Sequence, residues 1–497
     1  MIYITVNDES FIYDVHSLFK AFYPAEDIRV IPEDKEGPKD TEPRFKVYAG
    51  KDKISVRECI PDSYSHEITV DKWLSDDRSV YKSELKRQIY NALSDYSGHT
   101  LPWGTLTGIR PTKLAMSCLD RGLDEEEAVS YMKDYYLCSD SKSHLATDIA
   151  ARERTIMQSI AAEPSGLAKG YSLYIGIPFC PSRCLYCSFM SYPIASYEKA
   201  VDLYMEALKK EIDYVASAFA GRRLDSIYIG GGTPTTLSAV QLSGLISYVR
   251  DNIDISALRE FTVEAGRADS IDREKLSVLK ELGVDRISVN PQTFNEETLK
   301  LIGRKATAAQ TIDAYYLARE AGFDNINMDI ILGLPGESME DIRYTLKKVS
   351  ELKPDDLTVH SLAVKRGSRL SEMLMESKDT DSMLRNTDID YEMAMELTEE
   401  TAMSIGLRPY YLYRQKNISG NLENTGYAAT GREGIYNILM MEEVQDIVAC
   451  GAGTVSKHVA IQSDGSALIT RCDTHKDLKL YINDIDMMIE RKKKMYA

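Results

Sequence analysis

No stretch of this 497-residue chain approaches the roughly 20 apolar residues needed to span a bilayer. The opening residues, MIYITVNDESF, alternate like a strand and lack a basic segment followed by an apolar run, so no secretory leader is expected. The cytoplasm is the expected compartment. Positive charge is in deficit: the formal net charge is −17. Such a surface repels phosphate backbones and anionic lipid, so neither nucleic acid nor a membrane is an expected partner. Cysteine is scarce, with eight in the chain. In a chain of this size and compartment they do not suggest a disulfide framework. Five of them, Cys59, Cys118, Cys138, Cys450 and Cys472, are scattered and read as small buried hydrophobes. Internal repeats and low-complexity tracts are missing too.

What remains is an ordinary globular composition, 43% hydrophobic and 28% charged, long enough for several domains. Residues 1–97 read as a small α+β domain. IYITV, FKVYAG and HEITV alternate as strands, and HSLFKAF and SVYKSELKRQIYNALSDY carry helical periodicity. Residues 98–165 read as a helical connection. From about residue 166 the rhythm changes. SLYIGI, SIYIG, EFTVEA, RISVN, INMDIIL and DDLTVHSL alternate with longer amphipathic patterns. Strand–helix repetition implies parallel strands with right-handed crossovers, and six units predict a partial (β/α)6 barrel over residues 166–375. Residues 376–497 read as a mainly helical region covering the substrate, with strand-like pieces at DIVACGAG and SALIT.

The exception to cysteine scarcity is YSLYIGIPFCPSRCLYCSFMSYPI, where Cys180, Cys184 and Cys187 crowd one loop with C-x3-C-x2-C spacing. Structural zinc sites usually take four ligands in paired clusters, and no fourth Cys or His lies nearby. Ferredoxin spacings also supply four cysteines. Three thiolates on a four-iron cluster leave one iron free for an external chelator, such as the amino and carboxylate groups of S-adenosylmethionine. The loop follows the first barrel strand, and barrel active sites form at the C-terminal ends of strands. Zinc and a purely structural cluster stay open as alternatives.

These residues resemble the radical S-adenosylmethionine superfamily. More narrowly, YIGIPFCPSRCLYC resembles the oxygen-independent coproporphyrinogen III oxidase (coproporphyrinogen dehydrogenase) family, in its longer HemZ-like branch. The resemblance runs from about residue 170 to 456. It implies a 4Fe-4S cluster on Cys180, Cys184 and Cys187. It also implies one or two S-adenosylmethionine molecules held by Tyr174, Tyr186, Gly231, Gly232, Thr233, Glu264, Gln292, Arg304, Asp329, Ala363 and Val455. Glu264 ends a strand, where a carboxylate belongs either to solvent or to a site. The implied activity is anaerobic oxidative decarboxylation of propionate side chains of coproporphyrinogen III, giving the vinyl groups of protoporphyrinogen IX in haem biosynthesis. A low-potential electron donor such as flavodoxin or ferredoxin is implied as partner. Arg304, Lys305, Lys365, Arg366, Arg408 and Arg414 are candidate anchors for propionate carboxylates. Two positions depart from the pattern: Gly176 stands where the family usually has His, and Ser188-Phe189 where the oxidases have a further Cys. A haem chaperone and a tetrapyrrole methyltransferase on the same scaffold are the alternative activities.

Overall fold

The computed structural model describes residues 1–496 apart from residues 25, 36, 39–41, 60–64, 72–75, 109, 164–165, 366, 377–388, 415–422 and 463–466. It forms two compact units, Met1–Ala151 and Arg152–Ala497, with the division inside the helix Asp140–Ala161. No helix among the described residues is long and apolar enough to cross a membrane.

The first unit is built on a five-stranded sheet, β1 (Ile2–Val6), β2 (Ile28–Pro32), β3 (Phe45–Ala49), β4 (Lys53–Glu58) and β5 (Ser65–Thr69), in the order β2-β1-β3-β4-β5. β1 runs parallel to both neighbours, and the β3-β4-β5 pairs are antiparallel. Helices Ile12–Phe22 and Arg78–Ser97 bury Leu18, Phe19, Leu85 and Ile89 against it. The second helix starts at Asp77, whose carboxylate accepts the Ser79 and Val80 amides, and stops at Gly98, which is left-handed at φ 73°. β2 and β4 are strands that the sequence reading does not anticipate. Three further helices, Thr112–Asp120, Glu125–Tyr136 and Asp140–Ala161, match the expected helical stretch.

The second unit carries the six expected barrel strands: β6 (Gly170–Ile177), β9 (Arg223–Gly231), β10 (Glu260–Glu264), β11 (Arg286–Ser288), β12 (Ile326–Leu332) and β13 (Asp356–Ser361). They are neighbours in chain order and all parallel. Two short strands, β7 (Phe179–Cys180) and β8 (Tyr192–Pro193), pair across the cysteine loop. The remaining strands, β14 (Arg408–Arg414), β15 (Glu423–Ala428), β16 (Asp446–Cys450), β17 (Val455–Ile461) and β18 (Ala467–Asp473), lengthen the same sheet at both edges. Residues 376–497 are thus less helical than expected: beside their helices they contribute five strands to the barrel sheet. β14 and β15 escape sequence reading because Pro409 and Gly426 are poor strand residues. Gly426 is required there. A Cβ on it would lie 1.9 Å from the Tyr411 ring, which crosses it from the paired strand.

Period-2 alternation gives the two faces of the barrel different chemistry. Leu173, Ile175, Ile229, Val263, Ile287, Met328 and Val359 point outward into the helix-covered core. Their alternates are Ser172, Tyr174, Ser226, Tyr228, Thr262, Glu264, Arg286, Asn327, Asp329, Asp356 and Thr358. The register sets these side by side, for example Tyr174 opposite Tyr228 and Asn327 opposite Asp356. The inner face is therefore polar and hydrogen-bonded. Ser226 bonds Ser172 at 2.7 Å, Thr358 bonds Asn327 at 3.1 Å and Arg286 pairs with Asp356 at 2.6 Å.

Of the scattered cysteines, Cys118, Cys138, Cys450 and Cys472 are buried as expected, but Cys59 is exposed, because it follows the last residue of β4.

The C-terminal helix Ile485–Tyr496 is tied to the barrel by a fully buried ion pair, Lys492–Glu211, at 2.6 Å. Glu211 also accepts the Tyr481 hydroxyl (2.6 Å) and the Gly451 amide (2.7 Å), and Lys492 donates to the Ala449 carbonyl. Removing one partner strands the other charge without water. Lys492→Met is therefore expected to lower the unfolding free energy by about 3–5 kcal/mol, measured by urea unfolding followed by circular dichroism. An unchanged midpoint would show that the pair holds nothing.

Candidate active site

The site begins at the C-terminal end of β6. The chain leaves the strand, pairs briefly as β7, makes the loop 181–191 and returns as β8. The loop neck is fastened by backbone. Gly232 N–H donates to the Ile177 carbonyl at 2.8 Å, Thr233 N–H to the Phe179 carbonyl at 2.7 Å and Tyr192 N–H to the Pro178 carbonyl at 2.8 Å. A Cβ at Gly232 would sit 2.6 Å from the Phe179 oxygen and 2.7 Å from that of Ile177, so only glycine allows this approach. Its neighbour Gly231 turns at φ 102°, a region closed to most side chains. The glycine run, read from sequence as making room for a ligand, makes room first for the cysteine loop.

Further round, Leu185 inserts into an apolar cluster with Leu299, Ile302, Ile331, Leu334, Leu362 and Leu370. Its amide donates to the Ile302 carbonyl and its carbonyl accepts from Leu370, both at 2.9 Å. Arg267, nearly buried, donates to the Ser182 carbonyl at 2.9 Å, lies 3.9 Å from the Cys184 sulfur and is clamped by Asp269 at 2.8 Å. Arg183 donates to the Gly367 carbonyl at 2.6 Å. Arg267 has no counterpart in the sequence reading, since nothing local distinguishes it from a surface arginine.

Cys180 and Cys184 are buried and Cys187 is half-buried. Burial raises the Cys180 thiol, against hydrogen bonds from Thr233 and Ser191 that lower it. Burial likewise pushes Cys187 up to about 11. Among the described residues no three His, Cys, Asp or Glu side chains are arranged about a single metal-ion position. A cubane cluster asks for something different, one thiolate on each of three irons, so its sulfurs stand apart.

Facing the loop are the carboxylates and amides of the next strands. Glu264, at the end of β10, accepts the Tyr228 hydroxyl at 2.6 Å. Burial lifts its carboxyl to about 7, with Asp329 pushing the same way and the Tyr228 hydroxyl and Gly231 amide opposing. Tyr174, Tyr228 and Tyr436 form a three-ring cluster beside Glu264, with centroids 4.6–6.0 Å apart. Tyr228 and Tyr436 are absent from the sequence-derived set. The period-2 polar face of the strands was the available signal for Tyr228. Asp329 is held by Asn290 (2.7 Å) and Asn327 (2.8 Å), and the Asn290 carbonyl accepts Arg304. Arg304 also reaches the Tyr186 hydroxyl at 3.5 Å. Gln292 adopts φ 65° and is 6% exposed, and its amide oxygen has no partner. Among the described residues this buried acceptor is left without a donor, on a left-handed backbone.

The structure thus gathers Cys180, Cys184, Cys187, Thr233, Tyr186 and Arg304 on one side and Tyr174, Glu264, Gln292 and Asp329 on the other. Ala363 and Val455 stand at the same barrel end, after β13 and after the loop following β16, without entering the hydrogen-bonded group. Among the candidate cations, Arg408 starts β14 opposite Ala428 and therefore lies at the other end of the barrel, and Arg366 is outside the described residues.

A model of the radical SAM superfamily matches residues 174–349. The oxygen-independent coproporphyrinogen-III oxidase-like protein HemZ of Bacillus subtilis is 41% identical over 80% of this chain and 78% of its own. The chain belongs to the HemZ family. HemZ-type chains share the superfamily's cofactors, a 4Fe-4S cluster and S-adenosylmethionine. Two other relatives cover less. The oxygen-independent coproporphyrinogen III oxidase of Escherichia coli is 33% identical over 51% of this chain and 55% of its own. The haem chaperone HemW of Lactococcus lactis is 41% identical over 39% of this chain and 50% of its own. The match to each of these two spans about half of the relative's length. The donor set fits the cofactors: three thiols, a polar lumen and an unpaired Gln292 oxygen.

Glu264 makes stability depend on pH. Its value of about 7 lies above the ordinary 4.5, so folding favours the protonated form. That contribution is complete below the unfolded value and is lost as pH rises through the folded one. Glu264→Gln, always neutral, is expected to gain about 3 kcal/mol on wild type between roughly pH 5 and pH 8. Melting temperatures of the cofactor-free proteins measure this. A difference constant with pH would mean that Glu264 ionises as it does in water.

Proposed function

We propose that this protein is a radical S-adenosylmethionine oxidoreductase that converts propionate side chains of coproporphyrinogen III to vinyl groups, yielding protoporphyrinogen IX in the cytoplasm. The observation that carries this reading is the three-cysteine loop fastened at the mouth of a polar-lined barrel, in a chain related to HemZ over most of both lengths. Each conversion passes one hydrogen atom from –CH2–CH2–COO⁻ to the cofactor-derived carbon radical and one electron to a one-electron acceptor, and releases carbon dioxide, leaving –CH=CH2. When bound, the cluster and S-adenosylmethionine supply a one-electron C–S cleavage whose carbon radical accepts that hydrogen atom. A low-potential donor such as flavodoxin or ferredoxin delivers the electron that starts it.

The residues of the chain bind, orient and exclude water. Cys180, Cys184 and Cys187 are the cluster ligands in this reading, and their thiol protons leave as metal binds. Gly231, Gly232 and Thr233 offer backbone and Glu264, Gln292, Arg304 and Asp329 offer polar side chains to one or two S-adenosylmethionine molecules. Tyr174, Tyr186, Ala363 and Val455 complete the walls. Arg267 acts through the loop, by fixing Ser182, and Asn290 through Asp329, so both are positioning residues. In this reading the cluster of Tyr174, Tyr228 and Tyr436 excludes water from the side of Glu264.

A second reading, haem chaperone, is favoured by the HemW relation and by Ser188-Phe189 in place of a further Cys.

The test is product analysis with anaerobic, cluster-reconstituted protein given coproporphyrinogen III, reductant and S-adenosylmethionine. Release of carbon dioxide and formation of vinyl groups are expected, with about one S-adenosylmethionine consumed per decarboxylation. Alanine at Cys180, Cys184 or Cys187 is expected to abolish cleavage and most bound iron, and Cys450→Ala to leave both. Cleavage without a porphyrinogen product, accompanied by stoichiometric haem binding, would transfer the assignment to the chaperone.

A further inference from the structure

The sequence offers six cations for the carboxylates of a tetrapyrrole, and the structure separates them. Arg304 is half-buried, bonds the Asn290 carbonyl and the Tyr186 hydroxyl, and belongs to the cofactor side of the site in the reading above. Arg408 lies at the far end of the barrel, and Arg414 is buried at the end of β14. Arg366 is outside the described residues, and Lys305, exposed beside Arg304, lies over no aromatic ring among the described residues. Lys365 differs from these. It follows β13 at the C-terminal end of the barrel and is exposed, and its ammonium makes no ion pair or hydrogen bond with any described residue. It lies 5.9 Å over the ring of Phe189, two residues beyond Cys187.

The surroundings of Lys365 are unusual for this chain. Phe189 is 64% exposed, Met190 37% and Val364 38%, three apolar side chains left in water beside the cysteine loop. Met190 borders the loop after β16, where a Cβ on Gly453 would lie 3.7 Å from it. Charge is one-sided too. Segments 170–197, 299–312 and 362–371, which the loop's hydrogen bonds bring together, contain Arg and Lys and not one Asp or Glu, and Asp269, brought in with Arg267, is paired with that arginine. An unpaired cation over an exposed aromatic ring, beside further apolar side chains, suits an apolar macrocycle with carboxylates at its edge.

We propose that Lys365, with Phe189, Met190 and Val364, forms the mouth subsite at which one propionate carboxylate of the tetrapyrrole is held while the macrocycle edge lies on the apolar side chains. This rests on the decarboxylase reading above and deepens it by naming the residue that recognises the substrate. An ammonium held at one point sets which side chain of the macrocycle turns inward. The patch is small, three apolar side chains about one cation, whereas a stable protein interface asks for about 1,200–2,000 Å².

The test is fluorescence titration of full-length, cluster-reconstituted protein with coproporphyrin III, the oxidised and unreactive form, and with its tetramethyl ester. Lys365→Gln is expected to weaken binding of the acid about tenfold or more, the effect of losing a charge-assisted bond, and to leave the ester unchanged. Lys365→Arg is expected to restore most of the acid's affinity, and Phe189→Ala to weaken acid and ester alike. Wild-type binding that Lys365→Gln leaves intact would overturn the inference while the decarboxylase reading stands. If that variant also slowed cluster reduction by flavodoxin but not by dithionite, the patch would belong to the electron donor instead. Wild-type protein that binds neither porphyrin would overturn the inference, and product analysis with coproporphyrinogen III decides the decarboxylase reading separately.

Discussion

Two backbone hydrogen bonds, from Gly232 to the Ile177 carbonyl and from Thr233 to the Phe179 carbonyl, hold the neck of the cysteine loop against the next strand. The remainder of the site hangs on this junction. It sets where Cys180 lies relative to Thr233, whose hydroxyl reaches the sulfur at 3.5 Å. It also carries the chain to Leu185, whose burial fixes the middle of the loop. Any Cβ at residue 232 would force the two strands apart, so the junction depends on a missing side chain.

The barrel wall has the complementary property. A parallel sheet covered on both faces by apolar layers would read as continuous hydrophobic strands. Here every second residue is polar, and the register stacks those residues into a hydrogen-bonded lumen. Polar groups out of water must find partners, and most do. Gln292 does not, and it pairs that deficit with a left-handed backbone. Glu264 finds Tyr228 but stays desolvated enough to keep its proton near neutrality. Deeper in the barrel Asp356 accepts from both Arg286 and Tyr410, at 2.6 and 2.8 Å.

Gly176 shows how the HemZ-type chain closes its site from behind. The loop after β16 crosses directly over it, and a Cβ at residue 176 would lie 2.6 Å from the Thr454 methyl. A histidine does not fit there unless that loop moves. The loop is held by Glu211, which takes the Gly451 amide and is neutralised by Lys492 from the C-terminal helix. The C-terminal region is thereby part of the barrel wall and not only a cover.

Much of this was legible without coordinates. The C-x3-C-x2-C spacing singled out the cysteine loop because ligand chemistry is written in neighbouring residues. The six strands were legible because apolar runs and amphipathic helices are local patterns. Glu264, Gln292 and Asp329 could be picked out because parallel strands deliver their ends to one side of the sheet. Tertiary structure alone decided what depends on residues remote in sequence. Arg267 meets Ser182, Tyr436 stacks on Tyr228, Lys492 finds Glu211, and Tyr411 covers Gly426 so that a weak strand pairs. Cys59 fell outside its expected class because exposure is set by the surrounding fold and not by residue type. Lys365 could not be told from its five rivals in sequence, since a cation's availability depends on whether the fold brings a carboxylate or carbonyl to it, and that is a property of the packed chain.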